Sequence, residues 1–133
     1  RLDFRGERAG RFLFGGRNSE QQAEEVRERY VSLVRNVPFQ GITIENVDAG
    51  HDIYVVRDED TGEGVAYAPV IITFTADTIE DLARFILRSE FRKIEILEPE
   101  ELVLSRQSLE RLLFRISEEM EMWRQRLERA SNR

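Results

Sequence analysis

The residues best suited to chemistry are a histidine and the carboxylates around it. His51 is the only histidine of the 133-residue chain, and Asp48 and Asp52 flank it. A carboxylate beside an imidazole orients the ring as a general base. Adjacent residues on a strand point to opposite faces, so Asp52 is poorly placed to orient His51. Because no second histidine or motif-placed nucleophile accompanies it, the sequence favours a non-enzymatic protein, with an enzyme using His51 and nearby carboxylates as the second alternative.

An acidic stretch at residues 58–63 is the best metal candidate. Its carboxylates stand at alternate positions, as they do in calcium-binding loops. If Asp58 is the first loop position, the sixth should be glycine but is Glu63, and the twelfth should be glutamate but is Pro69. We therefore expect a solvated hairpin turn at this place and no metal site.

Cofactor chemistry also lacks its usual residues. Gly62 and Gly64 begin a dinucleotide-like pattern, but Tyr67 stands where the third glycine belongs. The chain has no cysteine, which excludes disulfides, thiolate metal sites and a cysteine nucleophile. The sequence predicts no cofactor.

Positive charge is concentrated in residues 1–17, where five arginines against Asp3 and Glu7 give +3 and leave −9 for the rest of a chain whose net charge is −6. Arginines interleaved with phenylalanines suit contacts to phosphates and stacked bases. Because the remainder is acidic and nucleic-acid binding requires clustered positive charge, we expect no nucleic-acid partner. Residues 1–17 are predicted to form a basic N-terminal hairpin or arm. The residues that could contact an anion or nucleic acid there are Arg5, Arg8, Arg11 and Arg17.

The elements that must position these residues follow from hydrophobic periodicity. Ser19 followed by Gln22 is a capping-box signature, and apolar residues then repeat at helical spacing until Pro38. Residues 41–47, 53–56 and a stretch ending at Ala76 alternate as strands, which predicts three antiparallel strands. Pro69 cannot donate a ladder hydrogen bond, so we expect it at an edge, at a bulge or before the strand proper.

A second helix is predicted after the strands, with Asp77 as its cap and Glu80 reaching back. Residues 93–97 and 102–104 then read as two short strands. Together these signals predict one α+β domain over residues 18–133, with the element order (ββ)-α-β-β-β-α-β-β-α. In this fold an antiparallel β-sheet carries helices mainly on one face. The chain ends in a long amphipathic helix at 105–130.

That C-terminal helix carries an apolar seam with alternating spacings of four and three, the heptad pattern of helices that pack together. Two interpretations are open, in which the seam either covers the chain's own sheet or forms a shared dimer or partner surface. We expect the first half, Leu109 to Ile116 with Leu112 and Phe114, to complete the chain's own core. The predicted dimer or partner interface is Leu109, Leu113, Ile116, Met120, Trp123 and Leu127.

Two resemblances add to this picture. In element order, small size and acidity, residues 19–130 resemble the homodimeric chaperones of type III secretion. Residues 78–102 comprise a helix followed by Ile94-Glu95-Ile96-Leu97-Glu98-Pro99-Glu100-Glu101-Leu102, and they are similar to the C-terminal extension of WYL-domain transcription regulators. The first resemblance implies a homodimeric chaperone-like role, and the second a regulatory one.

The function favoured by the sequence is therefore a non-enzymatic protein–protein interaction module, adaptor or chaperone-like, that acts as a homodimer through its C-terminal helix. The alternative is a regulatory or sensory domain of a larger bacterial protein such as a transcription regulator. The longest apolar run, 65–76, is too short and too mixed to span a bilayer. We expect a soluble, cytoplasmic protein with no visible targeting signal, although a chain that begins with arginine suggests a processed or excised fragment.

Overall fold

The computed structural model describes residues 1–6 and 18–132, and these fall into two compact units. One unit is built from Arg1–Phe39, Thr43–Thr75 and Ser89–Ile94. The other is built from Gln40–Ile42, Ala76–Arg88 and the chain from Glu95 onward. The elements in chain order are β1 (Leu2–Arg5), α1 (Ser19–Asn36), β2 (Ile42–Asp48), β3 (Tyr54–Arg57), β4 (Gly64–Ala76), α2 (Ile79–Ile86) and α3 (Arg106–Ser131).

The predicted α+β class is confirmed, with four antiparallel strands, three helices and a long C-terminal helix. β4 lies at the centre of the sheet, with β1 on one side and β2 on the other. Tyr67 of β4 is in register with both Arg5 of β1 and Tyr54 of β3. A residue in a central strand can pair with two strands only if they lie on opposite sides of it. β1 and β3 therefore lie on opposite sides of β4, and β3 shares its side with β2.

Several of the predicted strands are not present as predicted. β1 pairs with β4, and the second half of the predicted N-terminal hairpin lies outside the described residues. No strand forms at 93–97 or at 102–104. Phe91 makes a single bridge to Leu2, and Arg92 donates its backbone N–H to Arg1 O at 3.0 Å. Leu2 faces Phe91 in an antiparallel register, so residues 93–97 have no residue of β1 opposite them.

The caps of α1 and α2 are shifted by one residue from the predicted Ser19 and Asp77. Asn18 caps α1 and Thr78 caps α2, and Ser105 caps α3. Ser19 does not cap because its hydroxyl accepts the Ala66 N–H at 2.9 Å and donates to the Gly6 carbonyl at 3.1 Å. The start of α1 is thereby tied to β4 and to the residue that follows β1.

The main hydrophobic core lies between α1 and the sheet. Phe4 and Tyr30 pack with their ring centroids 4.8 Å apart. The buried cluster around them consists of Leu2, Phe4, Tyr30, Val31, Val34 and Val70. Within residues 1–6 and 18–132, no helix is both long and apolar enough to cross a membrane.

Pro69 lies inside the central strand, so the prediction of an edge, a bulge or a later strand start is wrong. It stands opposite Asp3, whose backbone N–H points away from β4 and donates to Glu90 O at 2.9 Å. The β1 ladder therefore needs no donor from Pro69. On α1 the buried Arg27 donates to the Pro69 carbonyl at 3.3 Å and to the His51 carbonyl at 2.8 Å, so its charge is met by backbone oxygens.

Gly6 permits the close approach of α1 to the end of β1. A Cβ atom at this position would lie 1.9 Å from the Ser19 carbonyl oxygen, and backbone atoms cannot yield as a side-chain end can. We expect Gly6→Ala to lower the free energy of unfolding by about 3 kcal/mol, measured by urea denaturation. Gly50→Ala is the control, because its nearest neighbour is the Asp48 carboxylate at 3.3 Å. Equal stability of the two variants would contradict this close contact.

Candidate interaction surface

The C-terminal helix α3 has 26 residues, which correspond to a length of about 39 Å. Its first turn is closed by Ser105, whose hydroxyl accepts the Ser108 N–H at 3.0 Å. None of its residues is buried. A helix of this length is normally held by the burial of an apolar face, and α3 has such a face without a full cover.

The predicted seam divides into an exposed part and a half-buried part. Leu113 is 57 % exposed, Met120 67 % and Leu127 68 %. Leu109 is also exposed, whereas Ile116 and Trp123 are half-buried. At 100° per residue, Leu109, Leu113, Met120 and Leu127 fall within a narrow arc of the helix. We call these four residues the exposed stripe.

The prediction that the first half of α3 completes the chain's own core is only partly correct. Leu112 and Ile116 are half-buried, but Leu109, Leu113 and Phe114 are exposed. The flank made by Leu112, Arg115, Ile116 and Glu119 is the half-buried one. In each turn of a helix only one or two residues can contact a neighbouring helix. A short neighbouring helix therefore cannot cover the whole apolar face of α3.

That neighbouring helix is α2, which packs against α3. Glu80 of α2 pairs with Arg111 at 4.0 Å, and Ala83 is the buried residue of α2. Between the two helices lies an open groove of about 380 Å³. Its lining is mostly charged, with both signs present, and consists of Glu80, Arg84, Glu110, Arg111, Phe114, Arg115 and Glu118. This groove is a poor site for an apolar ligand, because a ligand there would compete with existing ion pairs.

The C-terminal half of α3 is bounded by charged residues. Arg124 hydrogen-bonds Glu121, with 2.6 Å between Nη2 and Oε1, and also bonds Glu128. The hydrogen bond from Arg124 lowers the pKa of the Glu121 carboxyl, and the same bond raises the pKa of Arg124. Glu119 pairs instead with Arg115 at 3.1 Å on the half-buried flank. The exposed stripe is thus bordered by two flanks of different character.

The segment that precedes α3 is a second exposed apolar feature. Residues 95–104 contain no helix or strand. Acidic residues separate the apolar ones, and Pro99 lies in the middle of the segment. The exposed apolar side chains of this segment are Ile96, Leu97, Leu102, Val103 and Leu104.

His51 does meet a carboxylate, and its partner is Asp48. The imidazole Nε2 lies 3.2 Å from Asp48 Oδ2, and both side chains are about half exposed. Asp48 also accepts the Gly50 N–H at 2.9 Å, which fixes the turn between β2 and β3. The pair could orient the ring for proton transfer, and it lies in an exposed turn between β2 and β3.

The acidic loop at 58–63 is the β3–β4 hairpin turn, as predicted. Asp58 N–H bonds Glu63 O, and Gly62 N–H bonds Asp58 O, each at 2.8 Å. The Asp58 carboxylate accepts the Asp60 N–H at 2.9 Å, which fixes the start of the turn. Within the described part of the chain, no group of three potential metal ligands forms.

Of the four arginines predicted to contact an anion or nucleic acid, the described part of the chain includes only Arg5. Arg5 lies at the end of β1 and is exposed. Arg8, Arg11 and Arg17 lie outside the described residues. Their predicted contacts to anions or nucleic acid stay a prediction.

Sequence reasoning missed a polar cluster around Asp3, which is 2 % exposed. Its carboxylate accepts two hydrogen bonds from Arg1, at 2.9 and 3.2 Å, and one from the Tyr54 hydroxyl at 2.5 Å. Arg92 Nε lies 3.8 Å away. No spacing in the sequence reveals this cluster, because its members come from three separate segments. The one available signal was a carboxylate between two apolar residues of a short strand, Leu2 and Phe4.

The aromatic members of this cluster stack on one another. Tyr54 and Tyr67 have ring centroids 5.4 Å apart, and the Arg92 guanidinium lies 5.5 Å from the Tyr67 centroid. Every carboxylate oxygen of Asp3 already has a donor, and both rings are covered by a neighbour. The cluster therefore holds the 90–93 segment against the sheet.

Burial and the hydrogen bond to Asp3 raise the pKa of the Tyr54 phenol. A raised pKa in the folded state means that the neutral phenol stabilises the fold below the unfolded pKa of about 10, and that this stability is lost as the pH rises through the folded value. We expect the free energy of unfolding to fall above pH ~10 and to fall less in Tyr54→Phe. Urea denaturation at several alkaline pH values measures this, with Tyr67→Phe as the matched control. A parallel fall in Tyr54→Phe and the wild type would contradict the assignment.

Comparison with known proteins adds no relative from which a function could be transferred. No protein-family description, no curated protein and no solved structure matches the chain. The function is therefore argued from the chain's own surface.

Proposed function

We propose that this protein is a non-enzymatic interaction module, adaptor or chaperone-like, that acts as a homodimer through α3. The observation that supports it is the exposed stripe on a helix that has no buried residue. Four large apolar side chains aligned over about 27 Å cost free energy in water, and their burial against a second copy would recover about 25 cal/mol per Å². Isolated exposed apolar residues are ordinary, but an aligned row of them marks a contact surface.

The distribution of buried hydrophobic residues between the two units gives the proposal further support. Among the described residues, the unit that contains α2 and α3 has Ala83 as its one buried hydrophobic residue. The other unit holds all the remaining buried hydrophobic residues. A pair of helices with so little core is a common feature of chains that complete their core by association.

Two methionines on α3 provide a matched pair of variants. Met120 belongs to the exposed stripe, whereas Met122 is 42 % exposed and lies on another side of the helix. Because each dimer would contain two copies of the charged side chain, we expect Met120→Glu to raise the dissociation constant by about 100-fold. Met122→Glu adds the same charge two residues away and should change it little. Sedimentation velocity over a concentration series measures both constants.

A wild-type protein that stays monomeric at concentrations on the order of tens of micromolar would contradict the homodimer. Equal weakening by Met120→Glu and Met122→Glu would show that association does not use the exposed stripe. Circular dichroism of both variants controls for loss of helix.

The second candidate is a regulatory or sensory domain of a larger protein. The exposed apolar side chains at 96–104 favour it, because a neighbouring domain in a longer chain would cover them. Amide hydrogen exchange of residues 94–104 compares the isolated chain with the longer gene product. Protection that arises only in the longer protein supports this candidate, and equally fast exchange in both contradicts it.

A further inference from the structure

We infer that Met120 is an oxidation site, and that a peroxide acting on its thioether separates the two copies of α3. This inference rests on the proposed homodimer and concerns the regulation of its interface. Its basis is the exposure of Met120 at the centre of the exposed stripe, in a chain whose one other sulfur atom belongs to Met122 on another side of the helix.

The sulfur atoms of this chain are confined to α3. The chain has two methionines and no cysteine, and both methionines lie on this helix. Thiolates and thioethers are the side chains on which mild peroxide oxidation falls, and a cysteine thiolate elsewhere in a chain competes for the oxidant. Because such a thiolate is absent from the sequence, we expect oxidation to begin at Met120 or Met122.

Exposure and position distinguish the two methionines. Met120 is 67 % exposed, whereas Met122 is 42 % exposed. A helix turns about 100° per residue, which places the two side chains about 160° apart around α3. Met120 lies midway along the chain between Leu113 and Leu127, so it occupies the middle of the exposed stripe. The more accessible methionine is therefore also the one at the proposed interface.

Oxidation of a thioether by hydrogen peroxide is a two-electron oxygen transfer. A lone pair of the Met120 sulfur attacks one peroxide oxygen, so that an S–O bond forms and the O–O bond breaks. The hydroxide that leaves takes the proton of the transferred oxygen and departs as water. Sulfur is oxidised and the peroxide is reduced, which leaves a neutral methionine sulfoxide.

The sulfoxide is polar where the thioether was apolar. Its oxygen accepts hydrogen bonds from water, and the neighbouring stripe residues Leu113 and Leu127 have no side-chain donor to replace that water. A dimer buries two such oxygens, one from each copy. We therefore expect oxidation at Met120 to raise the dissociation constant about 30-fold.

Association and oxidation compete for the same side chain. A copy whose stripe is covered by its partner holds Met120 away from the oxidant, so oxidation proceeds in the dissociated copy. At a protein concentration about 100 times the dissociation constant, about 7 % of the copies are dissociated, and oxidation of Met120 should be about 15-fold slower than in a dilute sample. Oxidation of Met122 should not depend on concentration. Peptide mass spectrometry after timed exposure to hydrogen peroxide measures both rates.

Sedimentation velocity of peroxide-treated protein measures the effect on association, with each protein compared with its own untreated sample. The dissociation constant should rise about 30-fold in the wild type and in Met122→Leu, which keeps Met120. In Met120→Leu, where only Met122 is left to oxidise, oxidation should change the constant by less than about twofold. Methionine sulfoxide reductases with dithiothreitol should restore the wild-type constant, because the dithiol reduces the sulfoxide to the thioether, becomes a disulfide and releases water.

An oxidised Met120→Leu that is weakened as much as the oxidised wild type would overturn the site. So would a wild type that carries sulfoxide at Met120 and associates as before, or a Met120 oxidation rate that is independent of protein concentration. Circular dichroism of the oxidised samples controls for unfolding, and a loss of helix that matches the loss of association would also overturn the site. An untreated wild type that is monomeric would instead overturn the homodimer, so the two failures are distinguishable.

Discussion

The main constraint on this molecule is the uneven burial of its apolar residues. Nearly all buried hydrophobic residues of the described chain belong to the unit made by α1 and the sheet. The longest helix, α3, holds none. Hydrophobic burial is the dominant favourable term in folding, and α3, which packs against α2 with only a half-buried flank, covers just part of its apolar face. The proposed dimer would supply that missing term.

In the unit with the core, backbone fit matters as much as apolar area. Gly6 lets α1 approach β1, and the Ser19 hydroxyl joins both to β4. Arg27 donates to the carbonyls of Pro69 and His51, and Pro69 is the residue of the central strand that cannot donate a ladder hydrogen bond. These contacts are polar and long-range in sequence, and they set the position of α1 over the sheet.

Local patterns predicted the elements well, because periods of two and 3.6 residues report which face is apolar. They failed where a tertiary contact decides the outcome. Residues 93–97 alternate like a strand, but in the antiparallel register that places Leu2 opposite Phe91 they have no residue of β1 to pair with. Ser19 looks like a cap, but its hydroxyl is used by other segments. The Asp3 cluster could not be predicted, because its members are brought together only by the fold. The apolar seam of α3 can be read from the sequence, but its division into exposed and half-buried residues cannot, because that depends on the packing of α3.

The segment at 95–104 has a further consequence for how the protein behaves at high concentration. An extended apolar stretch with free backbone groups is a template for edge-to-edge aggregation. Here Glu95, Glu98, Glu100 and Glu101 interrupt the apolar residues, and Pro99 removes one backbone donor. Charges and proline at such positions act as gatekeepers against intermolecular strand pairing. The acidic composition of this segment thus protects the chain from its own exposed side chains while leaving them accessible.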